Sequence, residues 1–238
     1  MNLVSLQLKT SDNFEKNLNL LVSKIKSCSK DDIILAPELF LNGYAYDKMD
    51  EAVDITNKAI PILKKLSIDK TIALTFTTKY DNKYFNTLKV FYKGQIIYSQ
   101  HKHKLFVMND ERKFFTAGIE KDIKTFQIGD LKVASLICFE LRFSELWKQI
   151  QGADIILIPA MWGKIRAENF ITLTKALAIM NQCFVLCSDS SNDNMAKNSG
   201  IISPFGIEYR DNRATIIKQK LDLNEIKKMR RYLNIGII

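Results

Sequence analysis

Three short runs of this 238-residue chain, 33–36 (Ile-Ile-Leu-Ala), 133–137 (Val-Ala-Ser-Leu-Ile) and 155–158 (Ile-Ile-Leu-Ile), are almost continuously apolar. Each is too short for a helix and lacks the alternation of a strand with one wet face. Such runs are strands covered on both sides, which demands helices or a second sheet against each face. Helical patterns are there to supply cover: over 12–28, Phe14, Leu18, Leu21, Val22 and Ile25 recur on one face, and similar patterns fill 51–67, 142–151, 166–181 and, more briefly, 222–231. Strand signals fall at 2–8, 32–36, 71–78, 84–92, 95–99, 123–128, 132–137, 154–159 and 183–188, and 200–218 reads as two or three more short strands. Helices after strands in both halves, with hairpin-like strands between, predict a sheet-rich α/β core. No linker-like, repetitive or low-complexity stretch interrupts it, and the scarce glycine and proline fall mostly at turns such as Asn42-Gly43, Lys93-Gly94 and Pro204-Phe205-Gly206. One domain over 1–238 is expected.

Composition removes several classes. Apolar residues are 47% and charged residues 26%, ordinary for a soluble globular chain. No apolar run reaches membrane-spanning length, and the strand-like N-terminus lacks the basic flank of a signal peptide. The four cysteines, at 28, 138, 183 and 187, have none of the paired spacing of a zinc site, so reduced thiols, no metal and a cytoplasmic location are expected. The net charge of +9 is spread along the chain, apart from runs such as Lys227-Lys228-Met229-Arg230-Arg231. With no recognition motif beneath that charge, neither nucleic acid nor membrane is an expected partner; a small molecule is.

Chemistry concentrates just after strands. In Ser135-Leu136-Ile137-Cys138-Phe139-Glu140-Leu141-Arg142-Phe143 a thiol stands where a buried strand gives way to a charged, helix-compatible segment. The carboxyl end of a core strand is where a sheet meets its ligand crevice, a good place for a nucleophile, although a lone Cys is more often an inert core residue. Glu38, in Pro37-Glu38-Leu39-Phe40, follows another buried strand. Apolar walls there favour a general base with a raised pKa; an outward-turned Glu is the plainer outcome. Lys102 lies in Gln100-His101-Lys102-His103-Lys104-Leu105-Phe106, where a buried ammonium can hold an oxyanion and a solvated basic loop is the usual alternative. Glu111 precedes the aromatic turn Phe114-Phe115-Thr116-Ala117-Gly118. His101 and His103 compete as bases for a Cys-His arrangement, but the context of Lys102 makes them loop residues.

Taken together, Glu, Lys and Cys in this order and in these contexts resemble the nitrilase superfamily of carbon–nitrogen hydrolases along almost the whole chain. Lys102-His103-Lys104-Leu105-Phe106 is similar to its Lys-x-His-Leu-Phe pattern, with Lys104 at the usual His. Cys138-Phe139-Glu140-Leu141-Arg142-Phe143 is similar to its Cys-Tyr-Asp-x-Arg-Phe, and Gly152-Ala153-Asp154, Asn181-Gln182-Cys183 and Ser203-Pro204-Phe205-Gly206 continue the order. The chain departs from the pattern at Leu177 and Met180, which replace a charged pair, and at Asn169-Phe170, where many relatives carry His-Trp.

The resemblance implies a four-layer α-β-β-α sandwich of two packed sheets with outer helices, and a cofactor-free amidase with Cys138 as nucleophile, Glu38 as general base, Lys102 as oxyanion donor and Glu111 as a supporting carboxylate. All three triad members are expected at one sheet edge. It further points to the Phe139 backbone N–H as a second oxyanion donor and to Tyr44, Trp162 and Arg142 as substrate contacts. The block Pro159-Ala160-Met161-Trp162-Gly163-Lys164-Ile165-Arg166 most resembles omega-amidase relatives, so the expected substrate is a small amide, such as an omega-amide of a dicarboxylic acid, releasing ammonia. N-carbamoyl amino acids and nitriles are the alternatives within the family, and a catalytically retired scaffold is the alternative outside it. Relatives commonly form homodimers or higher homo-oligomers, here through 142–151 and 166–181, with Trp147, Phe170, Leu173 and Leu177 offering apolar area.

Overall fold

A computed structural model of the chain describes residues 1–237. Its elements run β1 (Asn2–Leu6), α1 (Phe14–Lys26), β2 (Ile33–Leu35), α2 (Met49–Leu66), β3 (Thr71–Tyr80), β4 (Lys83–Tyr92), β5 (Gln95–His101), α3 (Glu111–Phe114) and β6 (Phe126–Ile128). They continue with β7 (Leu131–Ser135), α4 (Ser144–Gln149), β8 (Ile155–Pro159), α5 (Ala167–Asn181), β9 (Phe184–Ser188), β10 (Gly200–Ile202), β11 (Glu208–Arg210), β12 (Ile216–Lys220) and α6 (Leu223–Tyr232). The strands form two six-stranded mixed sheets, ordered β12-β1-β2-β3-β4-β5 and β11-β10-β9-β8-β7-β6. The chain therefore builds the first sheet, then the second, and sends β12 back to pair antiparallel with β1.

Side-chain alternation sorts the layers. The parallel pair β1 and β2 is registered Leu3↔Ile33, Val4↔Ile34 and Ser5↔Leu35. Leu3, Ile33 and Leu35 enter the core between the sheets with Val133, Ile155 and Leu157. Val4 and Ile34 point the other way, onto Leu18, Leu21 and Ile25 of α1 and Ala59 and Leu63 of α2. Both faces of these strands are thus apolar because both are covered, and a slip of one residue would exchange the two sets. On the far side of the second sheet, α5 supplies Phe170 and Leu177 to the core. The result is the α-β-β-α sandwich that the resemblance implies.

Several expected boundaries shift for local reasons. The first helix starts at Phe14 because the Asn13 side chain caps it, accepting from the Lys16 N–H at 2.9 Å. The strand expected over 123–128 shrinks to Phe126–Ile128: Glu120–Asp122 wind into a 3-10 turn instead, and only the last three residues pair with β7. Three strands, β10 to β12, occupy 200–220. The expected interface residues need correction. Phe170 and Leu177 are fully buried inside the chain's own core and have no area to offer a second copy, whereas Trp147 and Leu173 are only half-buried. Leu177 is therefore a packing residue, and Met180 is 58% exposed. Among the described residues, no helix is long and apolar enough to cross a membrane.

Candidate active site

Turns at the carboxyl ends of β2, β5 and β7 bring three chemically distinct side chains together. After β2 the chain reverses at Leu39, which takes the left-handed region (φ 46°), a strained place for a bulky residue. The Leu39 N–H donates to the Thr75 Oγ1 at 2.7 Å and its carbonyl accepts from the Gly43 N–H at 2.7 Å, and this clamp turns Glu38 inward to complete burial. After β7, Cys138 is itself left-handed (φ 51°) and opens a 3-10 turn, Cys138–Arg142. Glu140 fastens that turn to the loop after β5. Its carboxylate accepts from the backbone N–H of Ile137 and from that of His103, both at 2.6 Å. Lys102 directly follows β5; its N–H donates to the Asn86 carbonyl and its carbonyl accepts from Gly118, each at 2.8 Å.

Lys102 is the hub. Its Nζ lies 2.8 Å from Glu38 Oε1, 2.7 and 2.9 Å from the two oxygens of Glu111, and 3.3 Å from the Tyr44 hydroxyl. Tyr44 in turn donates to Glu111 Oε1 at 2.9 Å, and the Phe106 N–H donates to Glu111 Oε2. Asn86, on β4, donates to Glu38 Oε1 at 2.8 Å, leaving Glu38 Oε2 without a partner in the protein. Lys102, Glu38 and Glu111 are wholly buried.

Electrostatics fixes the protonation states. Burial works against the Lys102 ammonium, but Glu38, Cys138 and Glu111 outweigh it and hold its pKa above the usual range. Burial and then the Glu38 carboxylate push the Cys138 thiol well above its ordinary value, and the Lys102 charge recovers only part of the shift. The sulfur therefore rests as a neutral thiol beside a carboxylate. Burial and then Glu111 and Glu38 raise Tyr44 as well, keeping it a neutral donor.

Against Cys138 lies a small hollow lined by Phe106, Phe139, Met161, Trp162 and two guanidinium groups. Arg142 sits 4.7 Å over the Trp162 ring and Arg166 5.1 Å over the Phe106 ring. The expected residues Glu38, Lys102, Glu111 and Tyr44 thus meet in one cluster, while Phe139, Trp162 and Arg142 wall the adjoining hollow. They do not come from one sheet edge: Glu38 and Lys102 follow strands of the first sheet and Cys138 follows a strand of the second. The two edges are joined by the Glu38 N–H, which donates to the Ala160 carbonyl at 3.1 Å. The histidines stand apart. His101, the last residue of β5, stacks on Phe85 and bonds Thr87, and the His103 ring bonds the Gly118 carbonyl.

Four contributors escaped the sequence reading. Asn86 steadies Glu38, the Met161 backbone N–H bears on the Cys138 sulfur, and Glu140 fastens the two loops. Asp189, just past β9, is fully buried and accepts from the Trp162 backbone N–H at 2.8 Å; burial pushes its carboxyl well up. The one available signal was polarity inside apolar strands: Asn86 sits in Phe85-Asn86-Thr87-Leu88, where an uncompensated amide would cost about 1–3 kcal/mol.

Such a group of a neutral thiol, a carboxylate and an ammonium, closed off from bulk water, is equipped for acyl transfer through sulfur. Known proteins are similar along nearly the whole chain. The sequence model of the carbon-nitrogen hydrolases matches residues 3–231. A 2-oxoglutaramate amidase of Bacillus subtilis is 29% identical over 95% of this chain and 91% of its own length. The hydrolase in the agr operon of Staphylococcus aureus is 32% identical over 93% of this chain and 87% of its own. Among solved structures, a CN-hydrolase superfamily protein of Xanthomonas campestris superposes with a TM-score of 0.87 at 19% identity, covering 98% of this chain and 95% of that one.

Proposed function

This chain belongs to the carbon-nitrogen hydrolase family, and on that footing we propose that it is an amidase acting on omega-amides of small dicarboxylic acids, with Cys138, Glu38 and Lys102 as its catalytic triad. The observation that carries the reading is the placement of Lys102 between two buried carboxylates beside the Cys138 thiol. A 2-oxoglutaramate amidase among the relatives supports the substrate class.

The chemistry follows from the protonation states. Because the resting sulfur is a thiol, its proton must leave as it attacks the amide carbon, and Glu38, whose Oε2 is unengaged, is the acceptor. Glu38 then delivers that proton to the departing nitrogen, ammonia leaves, and a thioester remains on Cys138. Water, activated by the same carboxylate, cleaves the thioester to the free acid. Charge building on the carbonyl oxygen meets Lys102 and the Phe139 backbone N–H. The Lys102 contact with Tyr44, at 3.3 Å the weakest of its set, is the one released to the oxyanion. Glu111 acts through Lys102, holding the ammonium with both oxygens. At the other end of the substrate, a carboxylate meets Arg142, with Arg166 alongside, while Trp162 and Tyr44 wall the site. No metal or organic cofactor enters this scheme. The working form in this reading is a homodimer, and the free thiols of Cys28, Cys138, Cys183 and Cys187 suit the reducing cytoplasm.

The test is ammonia release from succinamic acid and related monoamides, with intact mass recorded under turnover. An acyl adduct confined to Cys138 supports the reading; turnover by the Cys138→Ala variant at the wild-type rate overturns it.

A further inference from the structure

The parallel ladder between β8 and β9 runs one rung past its last paired residues. Pro159 stands opposite Ser188, and the Ala160 N–H then donates to the Ser188 carbonyl at 2.8 Å. Alternate N–H groups of a strand face the same neighbour, so the next rung belongs to the Trp162 N–H and an acceptor two residues beyond Ser188. The chain has turned off by then: the Ser191 N–H donates to the Leu8 carbonyl, back in the first sheet's layer, at 3.0 Å. The Asp189 side chain fills the rung instead, Oδ1 accepting the Trp162 backbone N–H at 2.8 Å. Asp189 is itself fixed at both backbone groups. Its N–H donates to the Ser199 Oγ at 2.8 Å, and that hydroxyl donates to the Asp189 carbonyl at 3.1 Å.

What lies between the two rungs is the chemistry. The Met161 N–H, alternating with those of Ala160 and Trp162, faces the other way and bears on the Cys138 sulfur. The Ala160 carbonyl accepts the Glu38 N–H at 3.1 Å. The three residues 160–162 therefore touch both nucleophile and base, and they are held on either side of Met161, by Ser188 and by Asp189. Asp189 is wholly buried, and its Oδ2 has no close partner in the protein, although the N–H groups of Ser190 and Lys197 bear on the carboxyl from farther off. Burial, with the nearby Glu38 adding to it, favours the protonated acid. What Asp189 offers Trp162 is thus an acceptor without a charge.

We propose that Asp189 is a positioning residue of this active site: by holding the Trp162 N–H it aims the Met161 N–H at the Cys138 sulfur, where negative charge appears as the thiol gives up its proton. The role rests on the amidase reading and adds to it a side chain that touches neither substrate nor sulfur. Burial and Glu38 both oppose a thiolate at Cys138, so the donors that favour it, Lys102 and this N–H, carry unusual weight. An amide in place of the acid presents the same acceptor and should serve equally well. A hydrocarbon of the same size should not.

Two substitutions of nearly equal volume, Asp189→Asn and Asp189→Leu, test this. Two readouts are taken: kcat and KM for succinamic acid, and the rate at which iodoacetamide alkylates Cys138 as a function of pH, with the site located by peptide mass. The Asn variant is expected to stay within about threefold of the wild type in both. In the Leu variant kcat should fall about tenfold or more while KM moves little. Its alkylation of Cys138 should be slower near neutrality and rise at higher pH, because a lost N–H disfavours the thiolate. A merely structural loss would not move that pH profile. Wild-type kcat in the Leu variant, an Asn variant as impaired as the Leu one, or a lowered kcat with an unmoved alkylation profile overturns the proposal. Should the Leu variant not fold, Asp189→Ala takes its place under the same criteria. If the wild type cleaves no amide, the amidase reading fails by itself, and the alkylation profiles still judge Asp189.

Discussion

Lys102 is held between two carboxylates, and all three groups are wholly buried and so weakly screened, so its substitution tests structure and catalysis together. Lys102→Met keeps the length of the side chain but leaves Glu38 and Glu111 as buried like charges. Breaking a buried pair in this way typically costs about 3–5 kcal/mol. The variant should therefore melt well below the wild type, an effect readable by calorimetry, as well as losing turnover. Cys138→Ala is the opposite case. It removes one sulfur from a neutral thiol site, so ammonia release should fall to background while the melting temperature changes little. Glu38→Gln keeps bulk and the Asn86 neighbour but removes the base; a rate within tenfold of wild type, against the expected loss of about a hundredfold or more, would argue that another group takes the thiol proton. At this scale Glu38 and Cys138 were marked by the apolar strands shortly before them, whereas Lys102 follows the half-exposed strand Gln95–His101 and was picked out by its place in the family pattern. Asn86 and Asp189 were not legible, because their partners, Glu38 and the Trp162 N–H, are set by tertiary packing and lie far away along the chain.

The turns after β5 and β7 work as one element pair, and two predictions belong to them. Gly118 donates its N–H to the Lys102 carbonyl, and a Cβ there would stand 2.4 Å from the His101 carbonyl oxygen. Backbone cannot give way as a flexible side chain does, so Gly118→Ala should displace Lys102 and lower kcat far more than its one added methyl suggests. A Gly118→Ala variant that keeps the wild-type kcat, or that loses turnover with Lys102 undisplaced in its crystal structure, would defeat that account. Glu140, which fastens both turns, is pushed up to about 7 by burial, against the N–H groups of Ile137 and His103 that favour the ionised form. Its proton is thus held more tightly in the folded chain than in the unfolded one, where the ordinary value is 4.5. The associated stability is fully present below that ordinary value and is lost as pH rises through about 7. Urea titrations on either side of this window should show the wild type less stable at the alkaline end. Glu140→Gln should flatten that difference, at the cost of turning one amide N–H toward a backbone donor. The elements themselves were legible from periodicity. The misjudged stretch, 123–128, failed because Ile123 is apolar and buried without being paired: the 3-10 turn at Glu120–Asp122 delivers it to the core by another route.

Across the whole molecule, the two-sheet architecture explains why the site spans both sheets. Face-to-face packing sets the carboxyl end of β2 against that of β8, so Glu38 from one sheet meets Cys138 from the other. The sequence shows that the strands are covered on both faces, but nothing in their pattern says that part of the cover is a second sheet; the family resemblance supplied that step. The same packing decides which surface is left for a partner. With Phe170 and Leu177 spent inside the core, Ile179 and Met180 at the carboxyl end of α5 are exposed, as are Phe205 and Ile207. Ile179 packs against the turn that carries Phe205 and Ile207: a Cβ on Gly206 would stand 2.8 Å from its Cδ1. A cluster of this kind on a charged chain marks an interaction surface, and a twofold pairing of identical patches needs no second protein. Sedimentation equilibrium at micromolar concentration should therefore find a dimer. Ile179→Glu/Met180→Lys, which alters only exposed side chains, should convert it to monomer with its circular dichroism unchanged. A wild-type chain that sediments as a monomer, or a dimer that survives both substitutions, would move the interface elsewhere on the molecule.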